Sequence, residues 1–301
     1  MASHPNTAAG IEQIPIFEAE VGVPKRQRRW LRALWRDKKA VTGLIILLLM
    51  IMAAIFAPLI TPHDPSDMAY GFLEAPSLSH PFGTDDLGRD LFARIIYGAR
   101  ISLMVGLTTV SIALIAGVLM GLVAGYYGGW VDNLIMRYID LQWAFPNFII
   151  AVYLVAVFGA GLSNVIVAVT LAFLDDFARI TRGMVLSIRE QEFIVAARSI
   201  GVKDQRLLLR HILPNAMAPV IVLATVTVSY AILAEAGLSF LGLGVKPTTP
   251  TWGLILSDAR TFFSRAWWLA LFPGLAIMLT VLSLNFFGDA LRDILDVKEY
   301  K

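Results

Sequence analysis

Three groups of residues could do chemistry in this chain. The first is Asp175-Asp176, two acids inside an otherwise apolar run. Carboxylates in such a setting are costly unless they pair or face a path for polar cargo, so they are candidates for a pore or an interface. Asp175 can also pair with Arg179 one helical turn on, leaving Asp176 to reach the membrane surface. The second is Gly237-Leu-Ser-Phe-Leu-Gly242, which resembles a serine-nucleophile elbow, except that its second glycine falls three residues after Ser239 instead of two. The third is the four histidines, His4, His63, His80 and His211, none spaced as metal-ligand pairs are, so no metal site is expected. There are no cysteines, which excludes thiolate ligands and a cysteine nucleophile. No GxxxxGK[ST] occurs, so the chain has no phosphate-binding loop of that kind and is not expected to hydrolyse ATP.

The elements that carry these residues are membrane helices. Of 301 residues, 57% are hydrophobic, and the mean hydropathy is +0.69. The excess lies in long runs, which points to an all-α integral membrane protein with six transmembrane helices. The predicted spans are Val41–Ile60, Ile101–Tyr126, Asn133–Phe158, Leu162–Ile180, Pro214–Leu238 and Trp267–Phe287. Residues 1–40 read as a tail ending in a basic, tryptophan-bearing interfacial helix (Lys25–Lys39), 41–60 as the first span, and 61–100 as a net-acidic external loop. Residues 101–289 read as a five-helix core with a cytoplasmic connection at 183–214, and 290–301 as a charged tail. The basic start and the basic connection between spans four and five put both termini in the cytoplasm. Lys246, Arg260 and Arg265 against Asp258 in the next loop do not support that orientation.

Pro146 should kink or split the third span. Ala113, Gly117, Gly121 and Gly125 form a stripe of small residues that lets another helix approach closely, most simply within the same subunit.

Ala196–Asn215 (AARSIGVKDQRLLLRHILPN) stands apart. Gly201 suits the left-handed position that ends one helix, Asp204 can cap a second, and Pro214 can open the next span. A DNA-binding helix–turn–helix needs a third helix and freedom to enter a groove, which a tether at both ends denies. A surface connector and a docking knob for a cytoplasmic motor both remain.

The stretch resembles the coupling motif of bacterial binding-protein-dependent ABC importer permeases. Ala196, Ala197 and Gly201, followed by Ile212, Leu213, Pro214 and Asn215, carry the resemblance, and Val195 replaces the motif's usual glutamate. The candidate ATPase-coupling residues it implies are Ala196, Ala197, Arg198, Gly201, Asp204, Arg210, His211, Leu213 and Pro214. His80–Leu103, with Gly83, Thr84, Asp85, Gly88, Arg89, Asp90 and Arg94, is similar to a signature of the dipeptide/oligopeptide/nickel branch, C-type subunit. Leu238–Gly253 and Leu284–Asp296 are similar to further signatures of that branch.

The resemblance implies a type I importer permease in the bacterial inner membrane. It implies a homologous permease as heterodimer partner, two ATP-binding subunits that carry ATP and Mg, and an extracytoplasmic solute-binding protein. No cofactor on this chain and no nucleic-acid partner are expected. Peptides are the expected cargo; nickel complexes, glutathione, opines and oligosaccharides are alternatives. A stand-alone channel or secondary transporter, or a membrane anchor, would leave the 196–215 motif or the external signatures unexplained.

Overall fold

The computed structural model describes residues 35–296, whose regular secondary structure is helical, with one isolated bridge between Thr84 and Asp90. All but the last residues of the basic Lys25–Lys39 segment lie outside the described residues, as does the end of the charged tail. Helix α1 (Lys38–Ile55) opens on Asp37, whose side chain accepts from the Lys39 N–H at 2.8 Å. It breaks at Phe56, and Pro58 begins a one-turn extension, Ala57–Ile60. Helix α2 (Leu91–Tyr127) starts ten residues before the expected second span. The reason is Asp90, which caps the helix by accepting from the Ala93 N–H at 2.7 Å. The stretch read as loop up to residue 100 therefore ends in about three helical turns.

Helices α3 (Gly129–Trp143) and α4 (Asn147–Phe158) occupy the predicted third span. They meet at 90° across Ala144-Phe145-Pro146. The proline supplies no N–H and crowds the preceding turn, so the helix restarts after it. Helix α5 (Leu162–Arg189) carries two acids and several arginines and is not apolar enough to rank as a span by composition. Helices α6 (Glu192–Ser199) and α7 (Asp204–Leu207) follow. A five-residue π-helical turn, Leu208–Ile212, joins α7 to α8 (Leu213–Phe240). Helix α9 (Trp252–Phe262) precedes α10 (Trp268–Asp296), which absorbs the first half of the predicted tail.

By length and composition, four helices can cross a membrane, or five if the bent α3–α4 pair is one span. The fold is thus an all-helical membrane bundle.

The core forms where small residues let helices touch. A Cβ on Gly121 would sit 2.3 Å from the Ala178 carbonyl oxygen, and one on Gly117 2.6 Å from that of Leu174. The stripe on α2 is therefore spent on α5 within the chain, as expected. Two inter-helix ion pairs tie α3 to α5. Arg182 grips Asp132 through two hydrogen bonds of 2.5 and 2.6 Å, and Arg179 donates to Asp140 at 2.9 Å. The Arg189 guanidinium donates to the Gly125 carbonyl at 2.8 Å, where α2 leaves orphan acceptors at its negative end.

Candidate functional site

Two clusters lie at opposite ends of α2. At its C-terminal end is the hairpin 190–213. Helix α6 ends at Ile200, and Gly201 takes φ +81°, the left-handed turn read from the sequence. A correction concerns Asp204. It does not cap the second helix; it is that helix's first residue, and Lys203 holds the cap position without a side-chain bond. The Asp204 carboxylate accepts instead from the Tyr126 hydroxyl at 2.5 Å, and the Arg198 guanidinium lies over the Tyr126 ring at 5.7 Å. The hairpin is strapped to the end of α2 by these contacts.

Pro214 stands in the first turn of α8, as expected. The chain passes from α7 into α8 without a break. Pro214 has no N–H to return to the Arg210 carbonyl, and the turn there widens, with the Leu213 N–H reaching Leu208 O. Asn215 Nδ2 supplies a donor to the His211 carbonyl at 2.6 Å.

The hairpin buries Ile194, Leu207, Leu208 and Ile212 against α2 and α5. Its tip presents apolar side chains outward: Phe193 and Val195 are exposed, and Ile200 is 82% exposed. Ala196, Arg198 and Arg210 are also exposed, Ala197 and His211 partly so, and Leu213 lies half-buried at the base. Exposed apolar residues framed by cations on a folded tip suit a partner with an apolar cleft and an acidic rim.

At the other end of α2, the signature loop folds into a buried collar. Gly83 and Gly88 take φ of +79° and +71°, and a Cβ on Gly88 would sit 2.3 Å from the Tyr70 carbonyl oxygen. Thr84 Oγ1 donates to Gly71 O at 2.6 Å and accepts from the Glu74 N–H. Asp85 is the hub. Its Oδ1 accepts from the backbone N–H groups of Leu87 and Arg89, and its Oδ2 from Arg89 Nε at 2.6 Å. Arg94 approaches the same oxygen at 3.4 Å, and both arginines lie within 3.7 Å of Asp258 on α9. Burial pushes the Asp258 carboxyl above the usual carboxylate range, against the pull of Arg94 and Arg89. Arg89 and Asp90, neighbours in sequence, are not partners: Asp90 Oδ2 pairs with His80 Nδ1 at 2.8 Å. Asp85, Arg89, Asp90 and Arg94 are all nearly inaccessible, so the signature holds the fold rather than presenting charge.

The Asp175–Arg179 pairing expected from their spacing is absent. Arg179 turns to α3, where it bonds Asp140 and stacks at 4.0 Å over the Trp143 ring. An inter-helix pair with a cation–π contact wins over a pair along one helix. Asp175 is 1% exposed, and neither carboxylate oxygen has a partner in hydrogen-bonding geometry. Asp176 is half-buried beside it.

Sequence reasoning passed over Glu235, which is fully buried in α8. Ser239 donates to its Oε1 at 2.8 Å and Ser102 to its Oε2 at 3.4 Å, so the elbow-like serine is a helix-internal partner of an acid. An acid in the run AILAEAGLSF was the available signal. Tyr126 gave none.

Residues 117–298 match the family model described as binding-protein-dependent transport system inner membrane component. Residues 27–78 match the N-terminal TM domain of oligopeptide transport permease C. The chain belongs to this permease family. It is 48% identical over 276 residues to the dipeptide transport system permease protein DppC of Alkalihalophilus pseudofirmus, covering 90% of each chain. It is 42% identical over 291 residues to the di/tripeptide transport system permease protein DppC of Pseudomonas aeruginosa, covering 94% of this chain and 96% of the relative. It is 47% identical over 265 residues to the glutathione transport system permease protein GsiD of Escherichia coli, covering 87% and 88%. A solved chain of the MetNI methionine ABC transporter, in an inward-facing form, superposes with a TM-score of 0.55 at 18% identity. The match covers 67% of this chain and 96% of that one, and it shows the type I permease fold. The protein is therefore a multi-pass permease subunit of a bacterial inner-membrane ABC importer, a transport subunit and not an enzyme.

Proposed function

We propose that this permease forms half of a translocation pore for di- or oligopeptides, and that the 190–213 hairpin is where an ATP-binding subunit docks. The observation that carries the docking is the outward-facing apolar tip. Gly201 sets the turn, Tyr126–Asp204 fixes the hairpin to α2, and Ile200, Val195 and Phe193 stay exposed. Peptide cargo rests on the names of the relatives, which transport dipeptides, di/tripeptides or peptides. Glutathione, itself a tripeptide, is the second reading, favoured by the 47% identity to GsiD.

In this account six segments cross the bilayer, counting α5 and the bent α3–α4 pair, and both termini and the hairpin lie in the cytoplasm. A homologous permease completes the pore. Two ATP-binding subunits hold ATP and Mg, and a solute-binding protein delivers cargo on the collar side. The glutamate replaced by Val195 contributes no polar contact here, so the apolar tip and its cationic frame carry the docking. Closure of the ATPases would push the hairpin. Because α7 runs without a break into α8, and Tyr126 ties the hairpin to α2, that push reaches two long helices at once. An acid at Asp175 stands beside α3 in the same bundle and is a candidate for the pore or for the interface with the second permease.

The test is ATPase activity and peptide uptake by the assembled complex, for wild type and Gly201→Asp. Uptake and binding-protein stimulation lost together in the variant would support the reading. Transport by this chain without any ATPase would overturn it.

A further inference from the structure

The sequence spacing of the histidines argues against a metal site, but the fold brings two of them together. His63, in the loop after α1, and His80, in the signature loop, have ring centroids 5.5 Å apart, with Tyr70 packed on both. Asp90, at the start of α2, is fully buried and holds His80 Nδ1 at 2.8 Å. Ligand atoms of His63, His80 and Asp90 all lie within 4.8 Å of one another. Tyr70 Oη sits 2.7 Å from His63 Nδ1.

We propose that His63, His80 and Asp90 form a binding site for a divalent transition-metal ion, of which zinc is the best match. Two imidazoles and one carboxylate are the donor set that suits zinc, with a fourth position left for water or a phenolic oxygen. The alkaline-earth ions prefer all-oxygen shells and are disfavoured. In the metal-free arrangement a hydrogen bond of 2.8 Å joins His80 Nδ1 and Asp90 Oδ2, with one proton between them. The ion takes that proton's place, and the proton leaves to solvent. A tetrahedral ion with bonds of about 2.0–2.1 Å needs its ligand atoms roughly 3.3 Å apart, so the His63 ring closes by up to about 1.5 Å. His63 is partly exposed and sits on a loop, which gives both the freedom to close and a route of entry. Once bound, the ion staples the exit of α1 to the start of α2, two segments joined here by a long loop without regular structure.

The experiment uses the assembled complex, purified without a polyhistidine tag and without nucleotide, and titrates zinc against a chromophoric chelator. Cobalt(II) absorption serves as a second probe of tetrahedral geometry. Wild type is expected to hold one more equivalent of zinc per copy of this chain than His63→Gln, with affinity at that site falling at least about 10-fold in the variant. His211→Gln, whose ring lies at the other end of the molecule, is expected to match wild type. Zinc is expected to raise the unfolding temperature of wild type and not of His63→Gln, and binding is expected to weaken as pH falls and protons compete. Equal stoichiometry in wild type and His63→Gln, or no zinc above the level of nonspecific binding, would overturn the site. Because His63 is outside the Asp85 hub, a folding failure of His80 or Asp90 variants would not obscure the result.

Discussion

The hydroxyl of Tyr126, in the last turn of α2, donates to the carboxylate of Asp204, the first residue of the second hairpin helix, at 2.5 Å. The bond spans 78 residues of sequence and ties the hairpin to α2. Tyr126→Phe removes it without opening a cavity and is expected to cost about 1 kcal/mol of stability. The ATPases are expected to co-purify with this variant while binding-protein stimulation of hydrolysis falls several-fold. An unchanged stimulation ratio would show that the strap transmits nothing.

Asp85 is the shared partner of Arg89 and Arg94 in a buried cluster. Asp85→Asn leaves two buried guanidinium groups short of negative charge, and breaking a buried pair in this way costs roughly 3–5 kcal/mol. Thermal unfolding in detergent should show it as a large drop, with poor assembly. Exchanging Arg89 and Asp90 is not expected to restore either single variant, because their partners are Asp85 and His80. Rescue by the exchange would contradict the collar as described.

Gly121 and Gly183 are both helical glycines, but only one is closely approached. A Cβ at Gly121 would meet backbone at 2.3 Å, whereas nothing lies within 4 Å of one at Gly183. Gly121→Ala is expected to destabilise by about 1–3 kcal/mol through overpacking against α5. Gly183→Ala should be neutral or stabilising by a few tenths of a kcal/mol. Unfolding temperatures of the two variants measure the difference directly.

Asp175 is 1% exposed, and burying a carboxylate costs stability. Asp175→Asn keeps the shape and removes the charge, so it is expected to raise the unfolding temperature. If the acid serves transport, uptake falls in the same variant. Uptake and stability both unchanged would remove Asp175 from the functional residues.

The sequence made the local features legible. Pro146 marks the α3–α4 break, Gly201 marks the left-handed turn, and the small-residue stripe on α2 marks a close helix contact; each is set by backbone chemistry within a few residues. Long-range choices were not legible. Arg179 had Asp175 one turn away and took Asp140 from another helix. Asp90 sat beside Arg89 and paired with His80. His63 and His80 carry no ligand spacing, and only the path of the loop between α1 and α2 joins them. Asp204 had the right type for a cap and was drawn to Tyr126, whose nearness depends on the α2–α5 packing. In each case the tertiary fold chose a partner remote in sequence over the near one.

The central claim is that the exposed tip of the 190–213 hairpin holds the ATPase. Ile200 is the residue to change, because at 82% exposure it can become Asp with little cost to folding. The measurement is the amount of ATP-binding subunit recovered with the tagged permease pair, wild type against Ile200→Asp. The account predicts that the variant keeps its partner permease and loses most of the ATPase. Full recovery of the ATPase with Ile200→Asp, together with normal uptake, would contradict it.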